Sequence, residues 1–316
     1  MGRKRKRSKE QLDGLLVLRK PKGPTSADCL ADIKHQLKQY KIGHAGTLDP
    51  MAEGVLLVLL GQGTKLATYL TGRTKTYYGE LKLGERTDTY DAEGEVLERR
   101  PVECTPDELR DAIFSWKDLT EQDVPAYSAA KHKGKPLYSL ARAGEDVPLK
   151  VKDITVFESE PLDVAETTAS FRVRCSAGTY IRSLVHSLGM RLGCGAVLTK
   201  LVREESSPFR IEDSVGLDDV LADPQGFSAR VIPMADALPH WPRIRLTEPL
   251  AELVRNGAWL PTGGESGSVL AGSVGRRALF EDRDGKALAL VEVAERDGKP
   301  AWSILRGLWE SPSGGS

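Results

Sequence analysis

Residues 43–60 read GHAGTLDPMAEGVLLVLL and contain both the strand that organises the fold and a candidate catalytic group. Residues 55–60 are apolar at every position, so both faces of this segment must be buried. Strands buried on both faces occupy the interior of a sheet. Residues 43–50 are rich in glycine and hold one acid, Asp49, followed by Pro50. We therefore predict a loop that carries an isolated carboxylate into a central strand.

The segments on either side of this strand follow strand or helix patterns. Further strands are predicted at residues 15–18, 74–84, 153–158 and 168–175, and helices at residues 26–37, 106–115, 136–142 and 180–192. The first helix is capped by Thr25 or Ser26, and Thr105 and Glu108 form a capping box for the second. Strands and helices without regular alternation are typical of α+β proteins, so we expect a mixed or mainly antiparallel central sheet flanked by helices.

The composition and the strand pattern of the sequence change after about Pro242. Residues 256–275 are rich in Gly and Ser, and short strands are predicted at residues 269–271, 277–281, 287–293 and 301–305. We expect a main domain at residues 10–242 followed by a small β-rich domain at residues 243–311. The two ends, residues 1–9 and 312–316, are expected to be disordered.

The formal net charge of the 316-residue chain is zero, because 45 Lys and Arg balance 45 Asp and Glu. Nucleic-acid-binding proteins usually carry an excess of cations, so this total argues against such a partner. The distribution is uneven, however. Residues 1–9 and 172–203 each hold six Lys or Arg and no acid, whereas residues 88–111 hold nine acids and three arginines. We expect the cations to line one cleft and the acids to lie mostly elsewhere.

Several classes of protein are excluded by the sequence. The four cysteines lack the spacing of a zinc site or a disulfide framework. The apolar run at residues 55–60 is far shorter than the roughly 20 residues of a membrane-spanning helix. No apolar segment of signal-peptide length follows the basic N-terminus. We expect a cytoplasmic protein with reduced thiols that does not bind membranes.

Asp49 has two possible interpretations. Loop aspartates most often stabilise turns through their own backbone. A carboxylate in an otherwise uncharged loop before a rigid strand is also well placed for catalysis. Tyr77 in a basic strand, and Tyr180 two residues before Arg182, favour the second interpretation. Aromatic rings beside cations suit an unpaired base and its phosphates, although each tyrosine alone fits an ordinary half-buried strand position.

Five segments together carry a resemblance to a known family. They are KPKGPTS at residues 20–26, GHAGTLDPMAEGVL at 43–56, KTYYGELKLGERTDTYDAEG at 75–94, VPAYSAAKHKGKPLYSLARAG at 124–144 and CSAGTYIRSLVHSLG at 175–189. In this order they closely resemble the TruB family of tRNA pseudouridine synthases, over about residues 14–209. Ala45 and Glu53 depart from residues that are frequent in the family, but neither occupies the catalytic position.

The resemblance implies an isomerase that converts one uridine in the T-loop of tRNA, conventionally position 55, to pseudouridine. The N1–C1′ bond breaks and the ring is rejoined through C5, so neither a cofactor nor a metal is expected. Asp49 is then the essential carboxylate, acting at C1′ or at C6 of the ring. Arg182 is the cation that pairs with it, and a fixed guanidinium suits this place better than a lysine.

The resemblance also implies a set of residues around the substrate. Tyr77 stacks on the flipped base and is a candidate for taking the C5 proton, and Tyr180 and Leu201 line the pocket. His44 contacts the T-loop, and Lys20 completes the substrate-binding set. A histidine in a Gly-rich loop often only bonds backbone groups, which is the alternative for His44. Base flipping costs about a few kcal/mol, which contacts with the displaced loop must offset.

The C-terminal domain resembles, more weakly, a PUA domain, and we expect it to bind the acceptor-stem side of the tRNA. The expected partner is tRNA, held by its T-arm and elbow, with no obligate protein partner and a monomeric enzyme. Two alternatives stay open. One is an RNA chaperone or assembly factor in which catalysis is incidental, and the other is a guide-RNA-dependent relative that requires partner proteins.

Overall fold

The computed structural model describes residues 11–263 and 272–309. The predicted disordered ends and the predicted strand at residues 269–271 lie outside the described residues. The strands of the N-terminal part are β1 (Gly14–Lys20), β2 (Ile42–Ala45), β3 (Ala52–Leu60), β4 (Lys75–Leu83), β5 (Glu85–Thr87), β6 (Val96–Arg99), β7 (Glu121–Asp123), β8 (Lys131–His132), β9 (Lys135–Pro136), β10 (Val151–Asp153), β11 (Val156–Val164), β12 (Thr168–Cys175), β13 (Ala196–Ser206), β14 (Phe209–Arg210) and β15 (Val215–Gly216), of which β5–β6, β7–β10 and β8–β9 form separate two-stranded sheets. Its helices are α1 (Ser26–Gln36), α2 (Ala67–Thr71), α3 (Pro106–Phe114), α4 (Leu137–Arg142), α5 (Ile181–Arg191) and α6 (Leu217–Ala222). The C-terminal part holds β16 (Arg243–Arg245), α7 (Glu248–Arg255), β17 (Leu260–Pro261), β18 (Arg277–Glu281), β19 (Ala287–Arg296) and β20 (Lys299–Gly307).

The main sheet has nine strands in the order β11-β12-β4-β13-β3-β1-β15, with β2 paired to β3 and β14 paired to β13. The β1–β15 and β3–β13 pairs are parallel, and the other pairs of this sheet are antiparallel. The predicted α+β class, with a mixed and mainly antiparallel central sheet, is confirmed.

The apolar run at residues 55–60 lies inside this sheet as part of β3, between β13 and β1. Its residues are fully buried and alternate between two hydrophobic clusters. Leu56, Val58 and Leu60 face the cluster that contains α1 and α5, whereas residues 55, 57 and 59 face the cluster on the opposite side of the sheet. Since side chains alternate along a strand, two buried faces leave no position for a polar residue.

Two of the predicted helices begin at their predicted caps. Thr25 caps α1 in a capping box with Asp28, and Thr105 caps α3 in the same way with Glu108. Among the helices of the described residues, none is both long and apolar enough to cross a membrane.

Three local predictions were wrong. The predicted loop at residues 43–50 begins with the last residues of β2, which pairs with β3. The predicted strand at residues 153–158 is replaced by the end of β10 and the start of β11, which continues to Val164. The long central strand β13 was not predicted at all, because polar residues interrupt its apolar positions.

The C-terminal part forms a separate five-stranded sheet in the order β16-β18-β19-β20-β17, with α7 beside it. It packs against the main sheet, since Leu279, Leu290 and Leu308 belong to the same hydrophobic cluster as Leu57. The Lys65 ammonium also donates a hydrogen bond of 2.7 Å to the Trp309 carbonyl. The two sheets therefore share one apolar interface.

The position of β3 predicts a large effect of truncating one of its buried side chains. Leu57→Ala should lower the free energy of unfolding by roughly 2–5 kcal/mol, because it leaves a cavity in the shared cluster. Chemical denaturation monitored by circular dichroism measures this. Leu97→Ala, at an exposed position on β6, is the control and should change the free energy by less than about 0.5 kcal/mol. Equal losses in the two variants would contradict the assignment.

Candidate active site

A cavity of about 240 Å³ opens where the β2–β3 loop, β4, β13 and the start of α5 meet. Five of the predicted site residues line it, namely Asp49, Tyr77, Tyr180, Arg182 and Leu201. The sheet order explains this, since β13 lies between β3 and β4 and pairs with both. Arg203 of β13 stands opposite Tyr77 of β4, and Leu201 stands opposite the first residue of β3.

Asp49 and Arg182 form an ion pair at this cavity. Arg182 Nε lies 2.9 Å from Asp49 Oδ2, at an angle that does not make a hydrogen bond. The Arg182 side chain is 5% exposed and that of Asp49 is 36% exposed. Arg182 also donates to the carbonyls of Thr89 at 2.7 Å and Tyr127 at 2.9 Å. A buried cation, fixed from behind, thus holds a carboxylate that remains open to the cavity.

A second carboxylate faces the same guanidinium. Asp91 Oδ2 lies 3.6 Å from Arg182 Nη1, and the Asp91 side chain is buried. Burial raises the pKa of Asp91, while bonds donated by Thr89 and by the Glu93 backbone, together with Arg182, oppose this shift. Asp91 therefore brings one residue of the acid-rich stretch 88–111 to the site, whereas we expected the acids to lie mostly elsewhere.

Arg203 supports the loop that carries Asp49, a role that no motif in the sequence indicated. Its side chain is buried, and its guanidinium donates to the carbonyls of Val55 at 2.6 Å, Gly46 at 3.0 Å and Thr47 at 3.4 Å. It also lies beside Tyr77, where burial raises the pKa of the phenol and the Arg203 charge opposes the rise. One cation therefore connects the loop before Asp49 with the aromatic wall of the cavity.

Lys20 holds the same loop from the other end. Its buried ammonium donates to the carbonyls of Pro21 and Ala52 at 2.8 Å and to that of Pro50 at 3.3 Å. The Ser26 hydroxyl bonds both the amide and the carbonyl of Leu48. The structure does not bring Lys20 to the cavity wall, and its predicted contact with substrate stays a prediction.

His44 lies on β2, opposite Val58, and is outside the residues that line the cavity. Its buried Nδ1 atom has no hydrogen-bond partner among the described residues. Burial lowers the pKa of His44, and the nearby Arg203 charge lowers it further. The imidazole is therefore neutral at neutral pH. Its predicted contact with RNA stays a prediction.

Gln122 fixes Tyr180 at the start of α5. Its amide oxygen accepts from the Tyr180 backbone N–H at 2.5 Å, and its amide nitrogen donates to the Tyr180 carbonyl at 3.1 Å. The Tyr180 ring lines the cavity next to the helix that supplies Arg182. The ring is thus positioned from a different strand, β7, which sequence reasoning had not connected with the site.

The lining of the cavity is positively charged. Within the described chain it holds Lys75, Arg182 and Arg203 against the single acid Asp49. The Lys75 ammonium donates to the carbonyls of Thr71 at 2.6 Å and Arg73 at 2.7 Å. Burial lowers the pKa of Lys75 to about 8, and the Arg203 charge adds to this effect. In residues 11–263 and 272–309, no group of three or more His, Cys, Asp or Glu is placed to hold a metal ion.

The acid-free stretch at residues 172–203 does not line the cavity as a whole, which corrects the expectation from the sequence. Arg172 pairs with Glu204 at 2.7 Å, and Arg174 pairs with Glu158 at 2.7 Å. Glu158 lies on β11, which neighbours β12, and Glu204 lies on β13, which is separated from β12 by β4. The cationic side chains of the stretch that reach the cavity are those of Arg182 and Arg203.

Comparison with known proteins shows similarity over almost the whole chain. Residues 34–181 match the family described as TruB family pseudouridylate synthase (N terminal domain). A tRNA pseudouridine synthase B of Oleidesulfovibrio alaskensis is 53% identical over 303 residues, covering 95% of this chain and 98% of that protein. Another, of Nitratidesulfovibrio vulgaris (strain Miyazaki F), is 51% identical over 301 residues, covering 95% and 97%. The solved structure described as "Crystal Structure of a Cbf5-Nop10-Gar1 Complex" is 25% identical with a TM-score of 0.70, covering 94% of this chain and 85% of that one.

The lowered pKa of Lys75 predicts a pH dependence of stability. Between the folded pKa of about 8 and the unfolded value of 10.5, the native state binds fewer protons than the unfolded state. This group therefore makes stability rise with pH in that window. Lys75→Met should reduce the slope by up to one proton, or about 1.4 kcal/mol per pH unit.

Denaturant titrations between pH 7.5 and 10.5 measure this slope. Lys82→Met removes an exposed lysine from the same strand and provides the reference curve. A Lys75→Met curve that is parallel to the wild-type curve would contradict the assignment.

Proposed function

Since the chain belongs to the TruB family of pseudouridylate synthases and is an isomerase, we propose that it converts uridine 55 in the T-loop of tRNA to pseudouridine. The family resemblance seen in the sequence is confirmed. The observation that carries the proposal is the Asp49–Arg182 pair, which faces a cavity walled by Tyr77. The names of the relatives support tRNA as the substrate.

The proposed reaction places a flipped uracil in the cavity against the Asp49 carboxylate. Asp49 attacks C1′ or C6 and forms a C–O bond, the N1–C1′ bond breaks, and the ring turns. A C5–C1′ bond then forms, and the C–O bond to Asp49 breaks, which regenerates the free carboxylate. The C5 proton then leaves and N1 gains a proton, so the product is an isomer of the substrate. The reaction transfers no electrons and no group to a second molecule, and the proposal includes no cofactor. Arg182 orients Asp49 and stabilises its negative charge.

Tyr77 is proposed to stack on the flipped base. Its ring lines the cavity, and burial raises the pKa of its hydroxyl, which is therefore un-ionised at neutral pH. A neutral phenol is a weak base, so stacking is the role that this environment favours. Arg203 opposes the rise in pKa, which would assist the hydroxyl if it also accepts the C5 proton.

We propose that the isolated chain is sufficient for this activity as a cytoplasmic monomer. The excess of cations in the lining suits a polyanion, and the cavity is built from one chain. The 25% identical structure is a complex with Nop10 and Gar1. Activity of the isolated chain therefore distinguishes a stand-alone enzyme from one that requires partner proteins.

The C-terminal sheet is proposed to be a PUA-like module, at residues 243–311, that adds affinity for the acceptor side of the tRNA. A groove beside α7 is lined by Trp259, Trp309 and Arg255. The Arg296 guanidinium lies 5.3 Å from the centre of the Trp259 ring. Both tryptophans are partly buried, and aromatic rings that are accessible beside cations are suited to stacking on unpaired bases. Deleting the module would expose the shared apolar cluster, so single substitutions test this role more cleanly.

Asp49→Asn keeps the shape of the side chain and removes its charge. We expect it to lower the rate of pseudouridine formation on the order of 10³-fold or more, the scale of losing an essential catalytic group. The measurement is a pseudouridine map of an unmodified tRNA transcript, together with filter binding of the same RNA. Binding should be largely retained, because the cationic lining is intact.

Asp118→Asn, at an exposed position after α3, is the control and should behave as wild type. Product at another position, or product formed by Asp49→Asn at the wild-type rate, would refute the proposed function. If Asp49→Asn is inactive yet fully restores tRNA folding and fitness in cells, the chaperone alternative is favoured.

Trp259→Ala should weaken tRNA binding by about 1–3 kcal/mol, the usual effect of removing one stacking platform. The rate at saturating tRNA should change little, since the groove is outside the cavity. Leu253→Ala, at an exposed apolar residue of α7 in the same module, is the control. Equal affinity of Trp259→Ala and wild type would show that this groove does not bind the tRNA.

A further inference from the structure

We propose that Lys152 binds a phosphodiester next to the target uridine, and that it forms an anion-binding wall of the active-site cavity together with Lys75 and Arg203. This inference rests on the proposed function, because it assigns a contact to the same RNA substrate. It adds a binding residue that neither the sequence motifs nor the carboxylate geometry had identified.

Lys152 lies beside the cavity, against a glycine of its lining. Gly178 lines the cavity and has φ of +80°, and a Cβ at this position would collide with the Lys152 ammonium. The ammonium therefore lies next to the cavity wall, in the space that a side chain at position 178 would fill. The Lys152 side chain is half-buried, so its charge is partly withdrawn from water.

The backbone of Lys152 is fixed by the same strand that positions Tyr180. Lys152 stands opposite Gln122 in the β7–β10 pair, and Gln122 bonds both backbone groups of Tyr180. The cation and the aromatic ring are thus placed by one element. A flipped nucleotide that meets the Tyr180 ring would hold its backbone phosphate near this strand.

The cations on this wall have no carboxylate partners. In the described parts of the chain, no Asp or Glu oxygen lies within 4.0 Å of the Lys152, Lys75 or Arg203 side-chain nitrogens. Lys75 donates to carbonyl oxygens, and Arg203 donates to carbonyl oxygens and also interacts with the Tyr77 hydroxyl. Burial is the first cause of the lowered pKa of Lys75, and the charges of Arg203, Arg73 and Lys152 contribute further. These cations therefore repel one another.

A bound anion would relieve this repulsion. The carboxylate that lines the cavity, Asp49, forms its ion pair with Arg182 and not with these three cations. Of the groups in an RNA nucleotide, the phosphodiester carries the negative charge. Lys152 is the best placed of the three cations to bind it, because Lys75 and Arg203 already donate to backbone carbonyls.

The test is a double-mutant cycle between the side chain and the phosphate, carried out in the Asp49→Asn background to prevent turnover. Full-length tRNA is assembled with a neutral methylphosphonate on the 5′ or the 3′ side of uridine 55, and its Kd is compared with that of unmodified tRNA. Lys152→Gln should weaken binding of unmodified tRNA roughly tenfold, the scale of one charge-assisted hydrogen bond. The slope of log Kd against the logarithm of the salt concentration should become smaller by about 0.7, the value for one phosphate of a single strand.

Methylphosphonate at one of the two positions should weaken binding to the Asp49→Asn protein to a similar extent, and should not weaken binding to the Lys152→Gln variant any further. Lys152→Arg should restore the sensitivity of binding to this methylphosphonate. Lys117→Gln, at an exposed lysine after α3, is the control and should bind as the Asp49→Asn protein does. Additive losses at both positions, or unchanged affinity of Lys152→Gln, would overturn the assignment.

Conversion of the unmodified tRNA by the wild-type protein is measured in parallel. Product at uridine 55 with additive losses overturns the phosphate contact alone. Absence of product at uridine 55 overturns the proposed function, and the inference that rests on it falls as well.

Discussion

The position of the Asp49 carboxylate depends on two buried cations that bond to its loop. Residues 46–51 form neither a helix nor a strand, so no backbone ladder fixes them. Arg203 holds the carbonyls of Gly46 and Thr47, and Lys20 holds those of Pro50 and Ala52. A buried charge is tolerated only where polar groups replace water, and here carbonyl dipoles do so from both ends of the loop.

This arrangement leaves the carboxylate available for chemistry. Among the acids whose charges act on Lys20, Asp49 has the largest effect. Because both cations bind carbonyls, Asp49 pairs with Arg182 through one oxygen and keeps its other side toward the cavity. Asp91 adds a second negative charge behind the same guanidinium. The guanidinium is thereby held between two carboxylates, and its orientation does not depend on Asp49 alone.

Sequence patterns predicted the elements that local physical rules determine. The apolar run of β3, the N-cap of α1 and the capping box of α3 are encoded by neighbouring residues, and all three form where expected. β13 was not predicted, because its polar residues find their partners in other segments of the chain. Arg203, for example, donates to carbonyls of the Asp49 loop and of β3. The contact of Asp91 with Arg182 was not predicted for a similar reason, since the sequence DTYDAEG at residues 88–94 is equally consistent with a solvent-exposed hairpin turn. Partners distant in sequence decide both cases.

The zero net charge of the chain illustrates the same limit at a larger scale. Acid-free stretches of sequence suggested a basic cleft, yet Arg172 and Arg174 form ion pairs with glutamates on the surface of the sheet. The cavity is positive for a different reason. Its three lining cations lie on three separate elements, β4, α5 and β13, and two of them, Lys75 and Arg203, donate to carbonyls and have no ion pair with an acid among the described residues. A polyanion responds to the charge that remains unpaired within a Debye length of about 8–10 Å, not to the sum over the chain. Association with RNA is therefore governed by pairing in the fold, which composition does not report.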